Sequence, residues 1–388
     1  MHGLTRATLR FAAVGVLAAI SAAGLGAAPA AAATGEVMVA GAVLGQGLYF
    51  DWQTDGTSGW NEELVASGSF DPPAVSVQSD GNVLISAVDT GNGALYFFWQ
   101  QYGTSTWNAE QVTATGTMPQ GYTSIASQTI MSPGQPAVVA IVGSDNVLYT
   151  QQIGQSDWVS QDLPGGYGGQ ARPYVDVAPN NTIQVIFAPG ADDGTAGAEG
   201  FYLDRQTYLS DSWSALHVQT GTVITDPQIA QQADGNLIVS YVDVDKAGTS
   251  GGVDFAWSPA NDLDSWYGQT VSSSAGATDS QGVSMADDPG ASLIALAAVQ
   301  GDCADAYVQP YGAGGWSTEK LACWSGAVAS TNPTIAAESD GALVAAYGGP
   351  TGQGYFSWRD SADTWHQETL PGMSDVAPNS ITVTSYTP

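Results

Sequence analysis

The chain reads as an all-β fold, a seven-bladed β-propeller of four-stranded blades, and three observations predict it. Tryptophan recurs at a near-constant step: Trp60, Trp107, Trp158, Trp213, Trp266, Trp316 and Trp365 lie 47 to 55 residues apart. The same order of strands and turns returns between them. Glycine is abundant at 48 of 388 residues, aromatics reach 10%, and charged residues are only 11%. That composition is short of the Lys, Glu and Arg that build helices and rich in turn and strand formers. Four short strands in a unit of roughly 40–50 residues are the mark of a propeller blade.

Taken in order, the chain opens with a leader. Arg6 and Arg10 precede an apolar, Ala-rich run over 11–28, and Ala31-Ala32-Ala33 follows. This pattern predicts a secretory signal peptide over 1–33, cleaved after small residues. Residues 34–388 then form the propeller, and secretion places it outside the cell. Removing the leader leaves five cations, Arg172, Arg205, Lys246, Lys320 and Arg359, against 37 acids. Such a charge excludes nucleic acid and anionic lipid as partners. No later segment is apolar and long enough to span a membrane.

Each unit starts with an alternating strand such as Pro73–Gln78. An Asp-Gly turn follows at Asp80-Gly81, Asp234-Gly235 and Asp340-Gly341, a strong hairpin signal between apolar runs. The second strand is more apolar, as in Val83–Val88 and Leu237–Val242. After a loop of variable length comes an aromatic third strand: Leu48–Trp52, Leu95–Trp99, Val253–Trp257 and Gly354–Trp358. The periodic Trp opens the fourth strand. Unit one lacks a first strand, while Pro378–Ser385 reads as a first strand with no unit after it. The C-terminal strand is therefore expected to complete blade one and close the ring, which removes an exposed sheet edge.

The two cysteines, Cys303 and Cys323, fall in one unit. In an oxidising compartment they are expected to form a disulfide.

The recurring pattern is Asp-Gly-x-Leu, then Gly-x-Leu-Tyr-Phe-x-Trp, then Trp-x-x-Glu-x-Val. It resembles the repeats of bacterial seven-bladed propeller lectins of the fucose-binding Photorhabdus type. The likeness covers units one, two, five and seven. Units three, four and six depart from it, with Tyr149–Gln152, Tyr202–Arg205 and Tyr307–Pro310 in place of the Tyr-Phe-x-Trp strand. The resemblance implies a sugar-binding ring with sites repeated between blades.

Propellers host enzymes as well as lectins, and no catalytic residue is assigned here. His217 and His366 occupy ordinary fourth-strand positions and read as surface histidines. No Gly-x-Ser-x-Gly elbow and no His-Glu-x-x-His motif occurs. Acidic pairs suggest calcium as a minor cofactor reading: Asp192-Asp193 with Glu199, Asp243 with Asp245, Asp262 with Asp264, and Asp287-Asp288. Solvated loop charge is the preferred account of them, and no metal ligand is assigned. Sugars stack their C–H faces on Trp and Tyr while polar groups fix the hydroxyls. The periodic Trp set is assigned mainly to packing. The second set, Trp52, Trp99, Trp257 and Trp358, is present in only four units, which points to ligand stacking. Gln53, Gln100 and Arg359 directly follow three of these and are assigned to hydroxyls. The expected function is non-catalytic binding of neutral glycans. One alternative is a glycoside hydrolase or polysaccharide lyase with a single site in the central depression. Another is a protein-interaction scaffold.

Overall fold

The computed structural model describes residues 5–11 and 35–386, apart from 55–58, 119–120, 128–137, 144–146, 153–154, 165–172, 179–181, 189–198, 208–209, 211, 233, 245–250, 261, 273–281, 289, 326–331 and 339–340. Among the described residues there are strands and no helix.

Seven antiparallel four-stranded blades stand around one axis, each running from an inner to an outer strand. Blade 2 shows the plan, with Ala74–Val77, Val83–Asp89, Ala94–Gln100 and Trp107–Gln111 in that order. Blades 3 to 7 begin with inner strands Thr123–Ser127, Tyr174–Val177, Val223–Gln231, Val283–Asp288 and Thr334–Ala337. The predicted hairpin turns form with their glycines in the left-handed region, at φ 85° for Gly81, 87° for Gly235 and 91° for Gly341. That region suits a residue without Cβ.

Ring closure is as the sequence predicts. The C-terminal strand Val376–Tyr386 is the inner strand of blade 1 and pairs antiparallel with Glu36–Val43, in the register Met38↔Thr384 and Ala40↔Thr382. Gly47–Thr54 and Asn61–Ser67 complete the blade. Each inner strand packs against the inner strand of the next blade around the whole circle.

The apolar core is seven sandwiches rather than one centre. A separate cluster of buried side chains fills each space between adjacent blades. Strand period two explains this, because alternate residues of every strand face opposite neighbouring blades. Along the third strand of blade 2, Leu95, Phe97 and Trp99 face blade 3 while Tyr96 and Phe98 face blade 1.

Two further features bear on the sequence reading. Cys303 and Cys323 are bonded, with S–S 2.08 Å, and tie the third strand of blade 6 to its fourth. Thr5–Phe11, within the segment read as a leader, forms a strand parallel to the outer strands of blades 4 and 5. It joins those two blades into one nine-stranded sheet.

Candidate functional site

The seven inter-blade grooves repeat one set of positions, and strand register identifies them. The residue of each third strand that pairs with, or lies opposite, the periodic Trp is Gln53, Gln100, Gln151, Gln206, Ser258, Gln309 or Arg359 in blades 1 to 7. It faces the preceding blade. The residue before it faces the following blade and is Trp52, Trp99, Thr150, Arg205, Trp257, Val308 or Trp358. Two residues earlier on that same face stand Phe50, Phe97, Leu148, Leu203, Phe255, Ala306 and Phe356. Each of these lies across from a fourth-strand residue: Glu63, Glu110, Gln161, Leu216, Gln269, Glu319 and Glu368.

Across five of the grooves this arrangement makes a clasp. Between blades 1 and 2, Glu63 accepts the Trp107 indole N–H at 2.9 Å and the Gln100 amide at 2.5 Å. Between blades 6 and 7, Glu319 accepts the Trp365 N–H at 2.8 Å and two bonds from Arg359, at 2.8 and 2.7 Å. Between blades 7 and 1, Glu368 accepts the Trp60 N–H at 2.8 Å. Between blades 2 and 3, Gln151 donates to Glu110 at 3.2 Å, and between blades 5 and 6 Gln309 donates to Gln269 at 3.1 Å. The bonds that end on a carboxylate are charge-assisted, the stronger class of hydrogen bond.

The periodic Trp rings complete the clasp by edge-on packing. Trp107 meets Phe50 at 5.2 Å, Trp158 meets Phe97 at 5.3 Å, Trp316 meets Phe255 at 5.4 Å, and Trp60 meets Phe356 at 4.9 Å. Each contact joins the outer strand of one blade to the third strand of the blade before it.

The second tryptophan set therefore shares its grooves with the first. Trp52 and Trp107 pack on the blade 1/2 core, Trp99 and Trp158 on the 2/3 core, Trp257 and Trp316 on the 5/6 core, and Trp358 and Trp60 on the 7/1 core. All eight are half-buried, as are Trp213 and Trp365, so indole surface is open in six of the seven grooves and two tryptophans share it in four of them. Trp257 lies nearly parallel to Tyr267 at 5.6 Å, and Trp358 to His366 at 5.2 Å, which extends the aromatic run toward the rim.

The predicted polar partners sit elsewhere than beside their neighbouring tryptophans. Period two turns Gln53, Gln100 and Arg359 away from Trp52, Trp99 and Trp358 into the preceding groove. Gln53 and Gln100 are buried. Gln100 shares a groove with Trp52 and Trp107, and Arg359 lies in the 6/7 groove, clamped by Glu319. Sequence reasoning missed the clasp, although its signal was present as Trp-x-x-Glu with an amide in most third strands.

The histidines differ from the surface reading in one case. His217 is buried, stacked on Tyr202 at 4.3 Å, with Nε2 3.1 Å from the Glu199 carbonyl. The fourth strand of blade 4 carries Leu216 and Val218 beside it in the apolar core, so this strand is covered where others are open. His366 is exposed and meets Asp360 at 2.7 Å, a contact that holds the Asp360 carboxyl below its usual range.

Of the acidic pairs, Asp192, Asp193 and Asp245 lie outside the described residues. Asp287 accepts from Tyr311 at 2.5 Å and from Gln232 at 3.3 Å, and Asp288 caps the Gly290 and Ala291 amides. Among the described residues no group of three His, Cys, Asp or Glu is placed to hold a metal ion.

On the axis, the first residues of the inner strands surround an opening of about 170 Å³. One side is apolar and aromatic, with Pro72, Pro73, Tyr122 and Tyr174; the other carries Asp226, Asn332 and Asn379. Asp226 is the one carboxylate among the described residues lining it.

Fold and grooves together define a closed seven-bladed ring with repeated, partly open aromatic sites between blades. Comparison places it among propellers of known structure. The fungal lectin of Aleuria aurantia, a six-bladed β-propeller with a novel mode of fucose recognition, aligns at 13% identity over 78% of this chain and 96% of its own, with a TM-score of 0.51. AofleA from Arthrobotrys oligospora aligns at 8% identity over 81% of this chain and 88% of its own, also at a TM-score of 0.51. At such identities the likeness bears on the fold. No protein-family model and no curated protein matches the chain.

Proposed function

We propose that this protein is a secreted, non-catalytic carbohydrate-binding propeller whose ligands stack in the grooves holding two tryptophans. The observation that carries this reading is the pairing of Trp52 with Trp107, Trp99 with Trp158, Trp257 with Trp316 and Trp358 with Trp60. A pyranose C–H face lies on an indole, and the clasp carboxylates and amides beside it are ready acceptors and donors for hydroxyls. Structural likeness to a fucose-recognising fungal lectin supports a sugar ligand, and the repeat pattern supports a relation to the Photorhabdus type. Several weak sites on one rigid ring gain strength through multivalency. Extracellular placement follows from the leader, and neutral glycans follow from the acidic surface.

Screening the purified protein on a glycan array tests the reading. Binding to neutral, and particularly fucosylated, glycans is expected, with reduced signal in a Trp99→Ala/Trp257→Ala double variant that stays folded. Release of reducing ends or unsaturated products from polysaccharides would instead support an enzyme.

A further inference from the structure

The groove between blades 4 and 5 departs from the common plan at nearly every position. Its clasp carboxylate is replaced by Leu216, and the facing amide by Ser258, whose hydroxyl bonds to the Asp262 carbonyl at 2.8 Å instead. The Trp266 indole turns to the Leu263 carbonyl at 2.9 Å. The position that holds a tryptophan in four other grooves holds Arg205. The 3/4 and 6/7 grooves also depart, with Leu148, Thr150 and Gln161 in one and Ala306, Val308 and Arg359 in the other, but here neither clasp group remains and a cation stands in the tryptophan's place.

Among the described residues Arg205 has no ion-pair partner: its Nε is buried without a hydrogen bond, and no described carboxylate stands within ion-pair range of it. Asp204, next in sequence, points to the opposite face of the sheet, as period two requires. The other described cations of the ring are paired: Lys320 with Asp305 at 3.4 Å, and Arg359 with Glu319 at 2.7 Å and Asp363 at 3.0 Å. The chain carries 37 acids against seven Lys and Arg. In so acidic a chain, a half-buried guanidinium without a counter-charge is the exception. Burial without a partner also pulls its proton affinity below the usual arginine value, the direction expected of a desolvated, unpaired cation.

We propose that the blade 4/5 groove is an anion site, distinct from the tryptophan grooves, that takes a carboxylate carried on a saccharide such as a uronic acid residue. The planar fork of Arg205 matches a carboxylate bidentately. Phe201 and Trp266, edge-on at 5.3 Å and fully buried, pack beneath it, so a ligand meets the half-buried guanidinium and not the rings. The field of the whole molecule repels polyanions, so the site suits short acidic oligosaccharides rather than long ones. Thr5–Phe11 runs along the outer edges of blades 4 and 5, and cleavage of the leader would free that side of the groove.

Calorimetric titration with trigalacturonic acid and with its fully methyl-esterified form tests the proposal. The purified protein is expected to bind the acid at least tenfold more tightly than the ester. Arg205→Gln should abolish that preference without moving the melting temperature, and Arg205→Lys should keep part of it. Arg359→Gln, in a groove whose arginine is already clamped, should leave the preference intact. Equal binding of acid and ester, an unchanged preference in Arg205→Gln, or no binding of the acid would each overturn the proposal. The Trp99→Ala/Trp257→Ala variant reads the neutral-glycan sites separately, so the two ideas fail independently.

Discussion

The groove between blades 1 and 2 and the groove between blades 4 and 5 are built on the same backbone and do opposite things. In the first, Glu63 gathers the Trp107 indole and the Gln100 amide across the gap, and Trp52 lies half-open beside them. In the second, the carboxylate is Leu216, the amide is Ser258, and Arg205 stands unpaired where Trp52 has its counterpart. Trp266, the periodic tryptophan of this groove, is fully buried. The contrast separates two uses of one repeat. Where the clasp is present, polar side chains hold the blades together across the groove. Where it is absent, apolar packing holds the blades and a charged group is left over.

The largest effect expected in any part of the ring comes from its closure. Truncation after Gly372 removes Val376–Tyr386 and exposes the edge of Glu36–Val43. It should unfold the protein or lower its melting temperature by more than about 10 °C, as read by calorimetry. An unchanged melting temperature would mean that blade 1 stands without its inner strand.

The grooves then separate by burial. Trp266→Ala empties a fully buried site and should cost roughly 3–5 kcal/mol in urea denaturation. Trp99→Ala removes a half-open ring and should cost no more than about 2 kcal/mol. Equal costs would erase the distinction between packing and binding tryptophans. Within the clasp, Glu319→Gln leaves Arg359 half-buried with only the exposed Asp363 as counter-charge. A loss of about 1–3 kcal/mol is expected. Arg205→Met, by contrast, removes a charge that has no partner to lose, so its stability should stay within about 0.5 kcal/mol of the parent or rise.

A pH series sharpens the electrostatic side. Burial, opposed by the Gly372 amide bond and reinforced by nearby Glu62, pushes Asp51 up to about 7. Burial likewise pushes Asp254 up to about 6. Their folded-state values lie above those of the unfolded chain, so the folded protein holds protons that the unfolded chain releases. Stability should therefore rise as pH falls from 8 to about 5 and fall again as pH returns through 6 and 7. Asp51→Asn should flatten the upper part of this window.

Much of this architecture was legible in the residues. Seven tryptophans at a constant step set the blade number. The Asp-Gly turns set the hairpins, and the unpaired strand at Pro378–Ser385 set the closure. These signals are local and periodic, so they survive without knowledge of contacts. The disulfide was legible from the cysteine count together with the compartment that the leader pattern predicts. The grooves were harder. Gln53, Gln100 and Arg359 looked like companions of the tryptophans they follow, but adjacent residues of a strand face different blades, and the true companions are some 50 residues away. His217 looked exposed because its repeat position is exposed in other units; Leu216 and Val218 and its stack on Tyr202 bury it. The unpaired state of Arg205 depends on what surrounds it across the groove, which no pattern along the chain records.

The most direct test of the central claim is calorimetric titration of a fucosylated glycan into the wild-type ring and into Trp99→Ala/Trp257→Ala. Binding at more than one site per ring in the parent, reduced in the variant by the sites of the 2/3 and 5/6 grooves with the variant still folded, is the predicted result. A folded variant with unchanged stoichiometry and affinity would contradict it.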